Sequence, residues 1–181
     1  VGAALDAYAE QGLAFDKVEV ASAVCAFLKG RMEQMARDAK VSVDVVAAVS
    51  AGSVSAPADF FALCDALNAA RQDDPEAFEN LATAYARASH LADASLGTTV
   101  DEHLMGDAEL RLAHAADAAR EAVSAALAAK DFAAVIAALA ALREPIDRFF
   151  DDVMVMAEDT ALRENRLRLL NSFSSVFADV A

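Results

Sequence analysis

The chain has 181 residues, and its 15 basic and 29 acidic side chains give a formal net charge of −14. That balance excludes a bulk, sequence-blind grip on duplex nucleic acid, which needs a basic face. Hydrophobic residues make up 57%, but 47 of them are alanine, so the excess over an ordinary globular composition signals helix. Six glycines, three prolines and the lack of period-two β-branched runs predict an all-α fold.

The opening VGAALDAYAEQG has no basic n-region and no small-residue cleavage site, so a cytosolic (cytoplasmic) protein is expected. Val1 starts inside an apolar-rich stretch, and SSVFADVA at 174–181 keeps the helical pattern running, as in an excised piece of a longer protein. Residues 19–39 predict a helix with Val20, Val24, Phe27, Leu28, Met32 and Met35 on one face and Lys29, Arg31, Glu33 and Arg37 mostly elsewhere. Cys25 on this helix and Cys64 are far apart, outside any CxxC pair, and read as reduced, buried small hydrophobes.

A short helix is expected over Val43–Val49. Gly52-Ser53-Val54-Ser55 is the most linker-like stretch, so the boundary falls there, with 1–55 and 56–181 as the two parts. Pro57 and Pro75 suit first helical turns, the second behind Asp73 and Asp74, with Phe78, Leu81, Tyr85 and Leu91 pointing inward. Residues 96–100 read as a loop, and Asp101 or Asp107 caps a long helix through Lys130. Asp131 starts the next helix, the longest apolar run, Phe132 to Leu142, which is far short of the roughly 20 residues that cross a bilayer. Pro145 is expected to stop it, and PIDRFFDDVMVM to form a segment ending near Ala157. Asp159 or Thr160 caps a last helix whose stripe is Leu162, Leu169, Leu170, Phe173, Val176 and Phe177, with Arg166 on that same stripe.

Catalytic patterns are absent. His90, His103 and His114 stand alone, no serine sits in a nucleophile elbow, and neither GxGxxG nor GxxxxGKS occurs, so no catalytic residue is assigned. Asp147, Asp151 and Asp152 are oxygen ligands of the kind a divalent cation takes, yet Arg143, Arg148, Arg163 and Arg166 lie close in sequence. Guanidinium–carboxylate forks that fix the angle between two helices are the simpler expectation, and no metal is assigned.

LREPID followed by FFDDVMVMAEDTALRENRLRLL resembles the C-terminal anticodon-binding region of the bacterial glycyl-tRNA synthetase beta-subunit family, a DALR-like helical domain. Pro145, Asp147, Phe149 to Asp151, Val153 to Met156, Leu162, Arg163 and Asn165 to Leu167 carry the likeness. FLKGRMEQMARDAKVSVDVVAAVSA and VDEHLMGDAELRL, with Asp101 and Glu109, extend it more loosely over most of the chain. Where that family tends to read Lys-Arg with Asn three residues on, this chain has Ala86-Arg87 and His90.

The resemblance implies that residues 1–55 end a preceding helical region and 56–181 form an anticodon-binding domain. It also implies a parent enzyme that attaches glycine to its tRNA using ATP, with the active site on a separate alpha subunit in an assembly of two alpha and two beta chains. This piece would itself be inert and hold no cofactor. An acidic chain suits an anticodon because unpaired bases are read by a few aimed groups rather than by a basic field. Arg163 and Arg166, with Arg148, Arg87 and Asn165, are the expected contact residues. Guanidiniums would reach O2 and N3 of cytosine, while Asp151 or Glu164 would accept from N4. For Arg166 a packing role stays equally open. The reading from another class is a helical protein-interaction module that touches no RNA.

Overall fold

The computed structural model describes residues 1–52, 56–178 and 180, and among these the only regular secondary structure is helical. In chain order the helices are α1 (Gly2–Glu10), α2 (Lys17–Asp38), α3 (Val43–Ala51), α4 (Pro57–Asp73), α5 (Pro75–Leu91), α6 (Asp107–Ala129), α7 (Phe132–Ala140), α8 (Arg143–Asp152) and α9 (Thr160–Ser175). Short 3₁₀ turns, Ala94–Leu96 and Glu102–Leu104, interrupt the long connection from α5 to α6. The linker expected at 52–55 lies, from Ser53 onward, outside the described residues.

Local chemistry sets most boundaries. The Asp16, Asp74, Asp131 and Asp159 carboxylates each accept backbone N–H groups of the turn that follows, and Pro57 and Pro75 occupy first-turn positions where no donor is lost. Asp101 caps the second 3₁₀ turn rather than α6, which begins behind Gly106. Lys130 takes the left-handed conformation at φ 56, closing α6 so that Asp131 can open α7 back along it.

Helix α6 is the spine, packed by α7, α8 and α9, while α5 lies on α9 and α8 and α4 joins α5 and α7. Its buried side is mostly alanine (Ala113, Ala116, Ala119 and Ala126), which lets neighbouring backbones approach closely. Phe60, Phe149 and Phe173 are fully buried, and truncating any of them would cost about 3–5 kcal/mol. The α9 stripe is inward as its spacing predicts: Leu169, Leu170, Phe173, Val176 and Phe177 are buried. Phe78, Leu81, Tyr85 and Leu91 line the core half-buried, and the fully covered positions of α5 are Ala84 and Ala88. The core runs without a break from Ala36 and Val45–Val49 to Phe60 and beyond.

Three expectations are corrected. In α2 only Ala36 is buried: Phe27, Leu28 and Met35 face solvent, and so does Cys25. Pro145 does not separate two segments but sits in the first turn of α8, where its missing N–H has no helical partner to lose. That helix ends at Asp152, five residues short of Ala157, because Val153 turns extended (φ −120, ψ 121).

Candidate nucleic-acid interface

Two arginines of α9 explain the early end of α8. Arg163, one turn into α9, reaches back to donate through Nη1 to the carbonyls of Ala157 (2.8 Å) and Glu158 (3.4 Å), and through Nη2 to Thr160 Oγ1 (3.2 Å). Arg166 donates through Nη1 to the Met154 carbonyl (2.9 Å) and through Nε to Glu109 Oε1 of α6 (2.8 Å). The other oxygen of Glu109 accepts the Gly106 N–H at 2.8 Å, which fixes the start of α6. The 153–159 connection is thus held by its own carbonyls. Val155 is buried beneath it while Met154 and Met156 are 75% and 59% exposed on its outer side.

The next residues along α9 clamp the other connection. Asn165 is buried, and its amide closes a two-bond lock on Asp101, accepting that residue's N–H (2.8 Å) and donating to its carbonyl (2.9 Å). Asn171 donates to the carbonyls of Asp93 and Gly97, both at 2.7 Å, and Gly97 has the positive φ of 73 that suits a glycine. Arg168 donates to the Leu96 carbonyl (3.3 Å) and pairs with Glu164 (3.1 Å). The polar side of α9 is a row of latches.

Only two of the five expected contact residues are exposed. Arg148 projects from α8 and pairs with Asp152 (3.2 Å), one turn on, rather than across to another helix. Arg143 faces Asp147 at 3.9 Å in the same way, so the ion pair that ties helices together here is Glu109–Arg166. Arg87 of α5 lies over the Phe150 ring with Cζ 4.0 Å from its centroid, a stack that holds the guanidinium plane without consuming its donors. Arg163, Asn165 and Arg166 are drawn inward instead.

Residues 81–180 match the DALR anticodon binding domain family. The chain belongs to that family. It is also 43% identical over 184 residues to the glycine–tRNA ligase beta subunit of Acinetobacter baylyi, covering 100% of this chain and 26% of that protein. The beta subunits of Aliivibrio fischeri strain MJ11 (39% over 178 residues, 94% of this chain) and Desulforudis audaxviator (40% over 179 residues, 97%) are matched likewise over 26% of their lengths. The chain therefore spans about a quarter of these relatives.

For a DALR domain the electrostatics are restrictive. The outer face of α8 presents Arg143 and Arg148 among Glu144, Asp147, Asp151 and Asp152, so it repels a phosphate backbone on balance. Among the described residues of this region, the outward groups that could meet a base are the stacked Arg87, Arg148 in its exposed pair with Asp152, and the two methionines. The methionines carry part of the family likeness but were not among the expected contact residues. Their signal was the Val-Met-Val-Met alternation at 153–156, a period-two pattern between a helix and the Asp159 cap.

Proposed function

We propose that this chain is the anticodon-reading part of a glycine–tRNA ligase beta subunit, with residues 1–55 ending the region before it. Support comes from the family match together with near end-to-end similarity to beta subunits. The structural observation that carries the reading is the doubly latched connection between α8 and α9 beside the Arg87–Phe150 stack. Pre-organised groups of this kind suit splayed, unpaired bases, which are recognised by stacking and edge contacts.

Within that reading Arg87 and Arg148 meet the tRNA, and Met154 and Met156 give apolar faces against which bases lie. Arg163, Asn165 and Arg166 act by holding those elements in place. A guanidinium donates to O2 and N3 of a cytosine, and Asp151 accepts from N4, so mixed charge is useful at the site. The parent enzyme joins glycine to its tRNA with ATP in the cytoplasm, its alpha subunit bearing the active site in an assembly of two alpha and two beta chains. The sequence contains neither GxGxxG nor GxxxxGKS, and no step involving ATP is assigned to it.

The test is tRNA affinity of the whole ligase carrying Arg87→Ala or Arg148→Ala. Each should weaken glycine tRNA binding by roughly 5- to 50-fold, on the order of 1–2 kcal/mol, with little change in melting temperature. With so few phosphate contacts, the slope of log K against log salt contributed by this domain should be shallow, about −1 to −2. Unchanged affinity in both variants, at any salt, would favour the rival reading of a protein-interaction module.

A further inference from the structure

Helix α2 carries its apolar stripe on the wrong side for this chain. Its last turns meet α3 and α4 through Ala36 and the half-buried Met32, and α1 packs on it as well, with Val20 and Val24 half-buried. At 3.6 residues per turn, Val20, Val24, Phe27, Leu28 and Met35 share a face centred roughly 130° around the helix from Ala36. Phe27 is 68% exposed, and Leu28 and Met35 about half. Eight of the ten large hydrophobic side chains that are exposed among the described residues fall within residues 1–43. A concentration of this kind marks an interaction surface rather than ordinary scatter.

The surface also has relief. Phe15, Val20, Ala23, Val24 and Phe27 line a groove of about 540 Å³, rimmed by Asp16 and Glu19. We propose that this groove and stripe are an intramolecular interface that receives an apolar helical segment from the remainder of the same beta-subunit polypeptide. The inference rests on the proposed place of the chain within such a subunit.

Three observations favour that occupant. Relatives match this chain over 94–100% of its length but extend well beyond it, since the match is 26% of theirs. Residues 1–80 lie inside that similarity but outside the DALR match at 81–180, so the stripe belongs with the beta subunit's own body. A tethered segment arrives at high effective concentration, whereas a second copy brings another net charge of −14 against the first.

The experiment compares the 181-residue chain with the full-length subunit of the same protein. F27S/L28S should leave the melting temperature of the short chain within about 1 °C, because both side chains are already exposed there, and should lower that of the full subunit by roughly 5 °C or more. As a readout independent of stability, F27C in a C25S background should be alkylated rapidly in the short chain and at least tenfold more slowly in the full subunit. Equal alkylation in the two, or destabilisation of the short chain itself, overturns the proposal. Protection that appears only when alpha subunit is added, or that rises with the concentration of the short chain, also overturns it by naming a different occupant. Glycine tRNA affinity measured on the same full-length variants separates this result from the functional reading, since the stripe is remote in sequence from the Arg87–Phe150 stack.

Discussion

Removing Arg166 should damage the fold before it damages recognition. Its side chain is 16% exposed and that of Glu109 only 5%, so the pair is desolvated on both sides. Taking one member from a buried pair costs about 3–5 kcal/mol, because the survivor is left charged and underbonded. Here the Gly106 N–H still satisfies one oxygen of Glu109, and the freed Met154 carbonyl can rehydrate in an exposed connection, so the lower end applies. Arg166→Met should then cost about 3 kcal/mol, which for a domain of this size lowers the melting temperature by roughly 6–12 °C.

Glu109→Gln keeps an acceptor oxygen for only one of its two donors and turns an amide NH2 toward the other, yet it leaves no unpaired carboxylate and should cost about 1–3 kcal/mol. The double variant should be no worse than Arg166→Met alone, since the unpaired carboxylate is what hurts. The assay is thermal unfolding of the three variants followed by circular dichroism, with glycine tRNA affinity measured on each in the assembled ligase. A melting temperature unchanged in Arg166→Met, alongside a tenfold or greater loss of tRNA affinity, would refute the internal role and make Arg166 a contact residue.

Asn165→Ala should cost about 1–3 kcal/mol, since it removes both bonds that the buried Asn165 amide makes to the Asp101 backbone, and hydrogen exchange should quicken around residues 93–106 more than elsewhere. Iodoacetamide at pH 8 should label one thiol in the native chain and two in denaturant: Cys25 is exposed, whereas burial first and Asp65 second push the Cys64 thiol up to about 11. Asp44, bonded by Ser42 and paired with Arg71, has its carboxyl held below the ordinary 3.8, the Ser42 hydrogen bond being the largest cause. Its contribution is therefore complete above pH 3.8 and lost as pH falls through the lower folded value, so Asp44→Asn should be less stable than wild type at pH 7 and indistinguishable near pH 2.

The sequence is most readable where structure is local. Asp74, Asp131 and Asp159 predict helix starts because a carboxylate and the turn it caps are three residues apart, and the α9 stripe reads correctly because one helix period places it. The end of α8 is different. Residues 153–156 have helix-compatible propensity, and what pulls them extended is a pair of guanidiniums on the following helix taking carbonyls that a helix would have used. The partner of Arg166 is equally hidden, since Glu109 lies 57 residues away and nothing in the spacing of α9 points to it. The stripe of α2 shows a further limit: periodicity says which residues want covering but not by what.

This distribution of charge has a consequence for how an acidic domain could read RNA. Arginine is used here chiefly as a building material, with Arg163 and Arg166 clamping one connection, Arg168 the other, and Arg120 reaching the carbonyl and hydroxyl of Ser172 on α9. A guanidinium whose donors are spent on carbonyls keeps its charge but cannot also fork a phosphate, so direct phosphate contacts are given up for rigidity. What rigidity returns is a lower ordering cost on binding, because the 153–159 connection and the Arg87 plane are already set when a base arrives. On that view substitution of a latch and substitution of a contact differ in kind. The first lets the surface wander and weakens every ligand alike, and the second removes one edge contact and alters which base is preferred.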